Sequence, residues 1–166
     1  MKAFLIILLG LLLSGCGNGQ DPVKIIGDST QIPTMSIPVA TNTQTVSQTL
    51  FSAGHENVEW AFLGTTSVAV TAPADGIVVA VDSTPNVGSI RIYHNSQTQS
   101  ILSKLTTVAV RVGDAITRGQ ALGITSTTLE FSMLINGGAI CPYSFMDTDG
   151  KSFINIRLVA GQYPCS

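Results

Sequence analysis

Residues 127–134, TTLEFSML, put Leu129, Phe131 and Met133 on one side of an extended chain and Thr128, Glu130 and Ser132 on the other. That two-residue period is the mark of a strand with one face in a core. Similar short runs fill the chain from about residue 50 onward. SVAVTA leads into the turn PADG and then IVVAVD; TPNVG turns into SIRIYHN; SILSKL follows. TTVAVRVGD and AITRGQALGIT are punctuated by Gly113-Asp114 and Arg118-Gly119, and TLEFSMLI, the turn NGG and a last strand in SFINIRLV complete the series. No stretch carries an amphipathic helix of useful length. Many short strands at close spacing predict an all-β domain over 49–166, a compact antiparallel β-sandwich or barrel-like fold.

The first 48 residues carry different patterns. Residues 1–15 hold one Lys, a short apolar run and then small residues, the order of a secretory signal too short to span a bilayer comfortably. Leu13-Ser14-Gly15-Cys16 resembles the lipobox of bacterial lipoproteins. That resemblance implies cleavage before Cys16 and acylation of its sulfur and amine. It also implies a lipid bilayer as a partner, since each buried CH2 adds about 0.8 kcal/mol. Gly17 is not the Asp associated with inner-membrane retention, so the expected location is the bacterial cell envelope, on the outer membrane facing the periplasm where the host has one. Residues 16–48, rich in Thr, Gln, Ser, Pro and Gly and without a sustained period, read as a flexible tether.

Composition narrows the function further. Charged residues are 11% of the chain, well below the usual quarter, and the net charge is -2 with no basic run. Nothing here suggests a nucleic-acid partner. Beyond Cys16 the cysteines are Cys141 and Cys165. In an exported, oxidising compartment they are candidates for one disulfide, the alternative being two free thiols. Without a nearby His they make a poor zinc site.

The ordered set TAPADGIVVAVDSTPNVGSIRIYHN, LSKLTTVAVRVGDAITRGQALGIT and TLEFSMLINGGAICPYSF resembles the lysostaphin-like zinc endopeptidases, whose domain is also called a duplicated hybrid motif. The resemblance covers about residues 55–146. Its strongest part is Ala72-Pro73-Ala74-Asp75-Gly76-Ile77-Val78, followed by Val112-Gly113-Asp114 and Gly119-Gln120. Glycines in such motifs are expected to permit tight, positive-φ turns. The family cleaves peptide cross-links of peptidoglycan. Its zinc is held by the His and Asp of HxxxD and the second His of HxH, while the first His of HxH and a His in YxHL assist. Zinc needs three such ligands and an open position to polarise the amide and activate water.

On this chain the HxH strand falls on Thr128-Leu129-Glu130, the YxHL His on Lys104, and the HxxxD pair on Asn57 and Ala61. The resemblance therefore implies the fold with a degenerate cleft of Asn57, Ala61, Lys104, Thr128 and Glu130, where a Lys104–Glu130 ion pair would fill the vacated metal site. One alternative keeps a metal: His55 and Glu59 stand at HxxxE spacing two residues earlier and would join Glu130 as a His-Glu-Glu set. His94 matches a family His that is not a ligand and reads as structural. Trp60 reads as core or edge rather than groove lining, and Pro142 and Phe145 as packing at the end of the domain. The extension 147–166 has no counterpart in the family.

Three functions stay open. The first is a non-enzymatic envelope lipoprotein that regulates or binds at the cell wall, with peptidoglycan or a cell-wall hydrolase as partner and no cofactor. The second is an active zinc endopeptidase with displaced ligands. The third is an adaptor or structural accessory of an envelope complex; no Lys stands at a carrier-type hairpin tip, and no long helical hairpin is present.

Overall fold

The structure, a computed structural model, describes residues 30–63 and 67–165. The signal segment 1–15, the acylation site Cys16 and residues 17–29 lie outside the described residues. Strands β1 (Thr45–Thr49), β2 (Val58–Phe62), β3 (Val68–Thr71), β4 (Gly76–Asp82), β5 (Gly88–Tyr93) and β6 (Thr98–Leu105) are followed by β7 (Thr107–Val108), β8 (Ala115–Ile116), β9 (Ala121–Thr125), β10 (Thr128–Ile135) and β11 (Gly138–Ile140). A 3-10 turn at Pro142–Phe145 and one helix, α1 (Thr148–Asn155), complete the described elements. The larger sheet runs β1-β2-β10-β6-β5-β4-β8, with β11 also on β10, and a second sheet runs β3-β9-β7. Every pairing between these strands is antiparallel, as the alternating sequence pattern predicts.

One core lies against the inner face of the larger sheet. Val58, Trp60 and Phe62 of β2, Leu129, Phe131 and Met133 of β10, and Ile90, Ile92 and Leu102 from β5 and β6 point into it. Val70 and Leu122 reach it from the smaller sheet. Trp60 is fully buried, with its ring 6.4 Å from that of Phe131 and 6.0 Å, edge-on, from that of Phe153 in α1. Its Nε1–H donates to Gln48 Oε1 at 2.9 Å, so the indole has no unmet donor.

Two segments differ from the sequence expectation. Part of the expected tether is core: Met35, Ile37 and Val39 are buried, and β1 begins at Thr45. The two-residue spacing of Met35, Ile37 and Val39 is that of an extended chain, masked by Pro33 and Pro38. Backbone hydrogen bonds fasten it, from Ser36 N to Pro73 O (2.7 Å) and from Thr71 N to Pro38 O (2.9 Å). The expected last strand in SFINIRLV is instead helical. Ile154 and Ile156 favour a strand locally, but Asp147 caps the segment by accepting from Gly150 N at 2.7 Å. Helical geometry then buries the adjacent Phe153 and Ile154 together, and this tertiary packing outweighs propensity.

The glycines act in two ways. Gly113 and Gly119 have φ of 95° and 82° and turn the chain as expected. Gly76 of the PADG turn serves close approach instead. A Cβ there would lie 2.5 Å from Ile92 Cγ2 and 2.8 Å from the Tyr93 carbonyl. Substituting Gly76→Ala is expected to lower unfolding free energy by about 1–3 kcal/mol, the usual cost of overpacking, in a urea titration.

His94 ties this turn to the sheet. Its Nδ1–H donates to the Asp75 carbonyl (2.7 Å), which can only accept, so Nε2 accepts from the Ser100 hydroxyl (2.8 Å). Burial lowers its pKa, against smaller opposing effects of the Asp75 carbonyl and carboxylate. The folded state thus resists protonation that the unfolded chain accepts. The contribution is complete above the ordinary histidine value of 6.5 and is lost as pH falls below it. Urea midpoints should decline on going from neutral to mildly acidic pH, and His94→Gln should flatten that decline.

Candidate functional site

The outer face of the larger sheet is built in rows by the pairing register. Partners in an antiparallel pair point to the same face with Cβ atoms about 5 Å apart. Ala61 of β2 stands opposite Thr128 of β10, and Glu59 opposite Glu130. The second row continues from Glu130 to Ser103 of β6 and Ser89 of β5. Ser132, Ile101 and Arg91 form the next row, then Leu134, Gln99 and Tyr93. The face therefore changes from polar and charged at Glu59 and Glu130 to mixed aliphatic and aromatic at Leu134 and Tyr93. Asn57 directly precedes β2, its Oδ1 buried with no hydrogen-bond partner.

Lys104 reaches this face through a bulge. Along β6 buried and half-buried residues alternate up to Ser103, but Lys104 is half-buried as well and Leu105 returns to the core. Gly88 pairs with Leu105 and Ser89 with Ser103, which leaves Lys104 as the extra residue. Its φ is 70°, a left-handed conformation that costs a residue with a side chain about 1–2 kcal/mol. The buried Thr125 hydroxyl holds the bulge, lying 2.8 Å from the Lys104 carbonyl and also contacting the Thr128 carbonyl. The bulge delivers Lys104 Nζ to 3.5 Å from Glu130 Oε1, the ion pair the sequence suggests. The side chains are 43% and 24% exposed, so the pair contributes about 0–1 kcal/mol. That does not exceed the backbone cost, so the ion pair is not what makes the bulge form.

The structure brings Glu59 and Glu130 together but places His55 elsewhere. His55 closes the turn between β1 and β2 through reciprocal backbone hydrogen bonds with Ser52 of 3.0 and 2.9 Å. Its Nε2 is buried without a hydrogen-bond partner among the described residues. Among those residues, no group of three or more His, Cys, Asp or Glu side chains could hold a metal ion.

Zinc needs three nitrogen, sulfur or oxygen donors from the protein. Of the five cleft positions, Ala61 offers no donor, Lys104 offers a cation, and Asn57 and Thr128 offer neutral oxygens that bind zinc poorly. Glu130 supplies the set's one carboxylate and already faces an ammonium. These residues do not fit a zinc ion.

The C-terminal extension braces the cleft from outside. The Arg157 guanidinium lies 3.6 Å from the Phe153 ring centre and contacts the Phe153 carbonyl. It also donates to Thr45 Oγ1 at 2.5 Å and to Thr43 O at 3.1 Å. Cys141 and Cys165 are joined as a disulfide with Cα atoms 5.8 Å apart, and Cys165 bridges Phe51 at the end of the β1–β2 hairpin. The sequence offers no sign of the Arg157 contacts. The bulge did leave one, since Leu102 and Leu105, three apart, break the two-residue period.

The antiparallel, all-β architecture is the one that the family resemblance implies. Residues 54–142 match the sequence profile of Peptidase family M23, and the chain belongs to that family. No curated protein matches the sequence. Among solved structures, a zinc-containing peptidase from Vibrio cholerae is similar at 17% identity and TM-score 0.53, over 64% of this chain and 38% of that one. Lysostaphin, the antimicrobial peptidase of Staphylococcus simulans, is similar at 19% identity and TM-score 0.56, over 81% and 60%. The SpoIIQ-SpoIIIAH pore-forming complex supplies a match at 18% identity and TM-score 0.60, over 78% of this chain and 100% of that one. The chain thus spans well under half of the Vibrio peptidase and three-fifths of lysostaphin. At these identities the likeness is one of fold.

The disulfide closes a loop with a sequence separation of 24. Cys141→Ser with Cys165→Ser is expected to lower the unfolding free energy by about 3 kcal/mol in the chain-entropy description, read from urea midpoints without reductant.

Proposed function

We propose that this chain is an envelope lipoprotein, anchored through acylated Cys16, whose M23 domain binds at the cell wall instead of cutting it. The observation that carries the reading is the outer face of the larger sheet. On the register that the family resemblance implies, Ala61 and Thr128 take the places of metal donors, and the Lys104 ammonium lies 3.5 Å from Glu130, the carboxylate left in that set. The floor keeps features of a binding surface, with hydrogen-bonding side chains in one row and Leu134, Gln99 and Tyr93 two rows away. Domains of this fold occur both in peptidases and in a pore-forming complex, so the fold is compatible with holding a partner as well as with hydrolysis. The family resemblance points to peptidoglycan, or a hydrolase acting on it, as the bound partner. The lipobox-like Leu13-Ser14-Gly15-Cys16 supports an envelope location, on the periplasmic side of the outer membrane in a host with two membranes.

Purified protein should co-sediment with peptidoglycan sacculi and release no peptides from them, with or without added zinc. Peptide release that rises with zinc and is lost in Glu130→Ala would overturn the reading in favour of a peptidase.

A further inference from the structure

Glu59 and Glu130 are opposed across β2 and β10, and both are half-buried. Like charges directly opposite one another destabilise a sheet, more so as water is excluded. Among the described residues, Lys104 lies within 4 Å of the Glu130 carboxylate, and no cation lies within 4 Å of Glu59. It comes from a third strand, β6, at a bulge that exists in a left-handed conformation without glycine. Without that bulge, the residue after the outward-facing Ser103 would point into the core. Two features therefore converge: the opposed Glu59 and Glu130, and a bulge, held by the buried Thr125 hydroxyl, that turns a lysine outward.

We propose that the Lys104 ammonium is the resident cation of this cleft, doing by charge what a divalent ion does in a three-donor site, and that it is what permits Glu59 and Glu130 to stand side by side. The cleft keeps its shape without metal, and a divalent cation gains a foothold only when Lys104 is removed. This rests on the reading of the cleft as a binding surface rather than a metal centre.

The test uses the full chain as wild type, Lys104→Met, Lys104→Arg, Glu59→Gln and the Lys104→Met/Glu59→Gln pair, in thermal unfolding with chelator and then with millimolar Mn2+. Lys104→Met should lower Tm by about 2–4 °C, the shift expected for a loss of this size in a domain of this length. Adding Glu59→Gln should recover most of that loss, whereas Glu59→Gln alone should raise Tm little or not at all. Mn2+ should raise the Tm of Lys104→Met and leave wild type unmoved. Lys104→Arg keeps the charge at the same backbone angle and should behave as wild type. Equal effects of Glu59→Gln with and without Lys104 would overturn the proposal. So would a Mn2+ response that is absent from Lys104→Met or shared by wild type, or Arg failing as Met does. Zinc content separates the two levels: stoichiometric zinc in wild type would sink the binding-surface reading itself, while additive effects in zinc-free protein would sink this proposal alone.

Discussion

Strand β10 is hydrogen-bonded on both sides, to β2 and β11 along one edge and to β6 along the other. A one-residue slip of a strand moves its entire apolar set to the wrong face. For β10 that would put Leu129, Phe131 and Met133 in water and Thr128, Glu130 and Ser132 in the core. Two neighbouring strands would resist any such slip, so the position of each floor side chain is set by the core packing beneath it. The same register brings Glu59, Glu130 and Ser103 into one row. Core and cleft are two readings of one periodicity.

The floor departs from that periodicity at Lys104. Regular continuation of β6 would aim this side chain at the interior, where an unpaired ammonium would be very costly to bury. The bulge instead aims it outward for about 1–2 kcal/mol of backbone strain. The chain bulges here because a lysine at this place in the sequence has no acceptable inward orientation. The contact with Glu130 is then a consequence of the bulge, and the Thr125 hydroxyl absorbs part of the distortion by serving the displaced carbonyl.

The strands were legible because their alternation is strong and their turns carry Gly, Pro and Asp in expected places. The outward placing of Thr128 and Glu130 was equally legible, since they alternate with the core residues Leu129 and Phe131. Two kinds of information were not local. Residues 35–39 look like a linker because Pro33 and Pro38 interrupt the run, and only the hydrogen bonds to Thr71 and Pro73 reveal an extended, buried segment. Residues 148–155 carry strand-forming Phe and Ile, and the cap from Asp147 and the pocket beside Trp60 make them a helix. The convergence of β2, β6 and β10 on one row also depends on long-range pairing that no short window contains.

The extension past residue 142 lies beyond the family match, yet the cleft depends on it. Trp60 is gripped between Phe131 of β10 and Phe153 of α1, and its immediate neighbours Glu59 and Ala61 are floor residues. Burying a side chain such as Phe or Ile contributes about 1.5–3 kcal/mol. Truncating either Phe153 or Ile154 to Ala would therefore cost a sizeable part of the 5–15 kcal/mol by which domains are typically stable. Arg157 and the disulfide hold the extension against the β1–β2 hairpin from two directions. The extension meets β2 from the core side through Trp60 and meets the β1–β2 hairpin through Thr45 and Phe51. The chain thus places structure from beyond its family match under β2, the strand that carries Glu59 and Ala61.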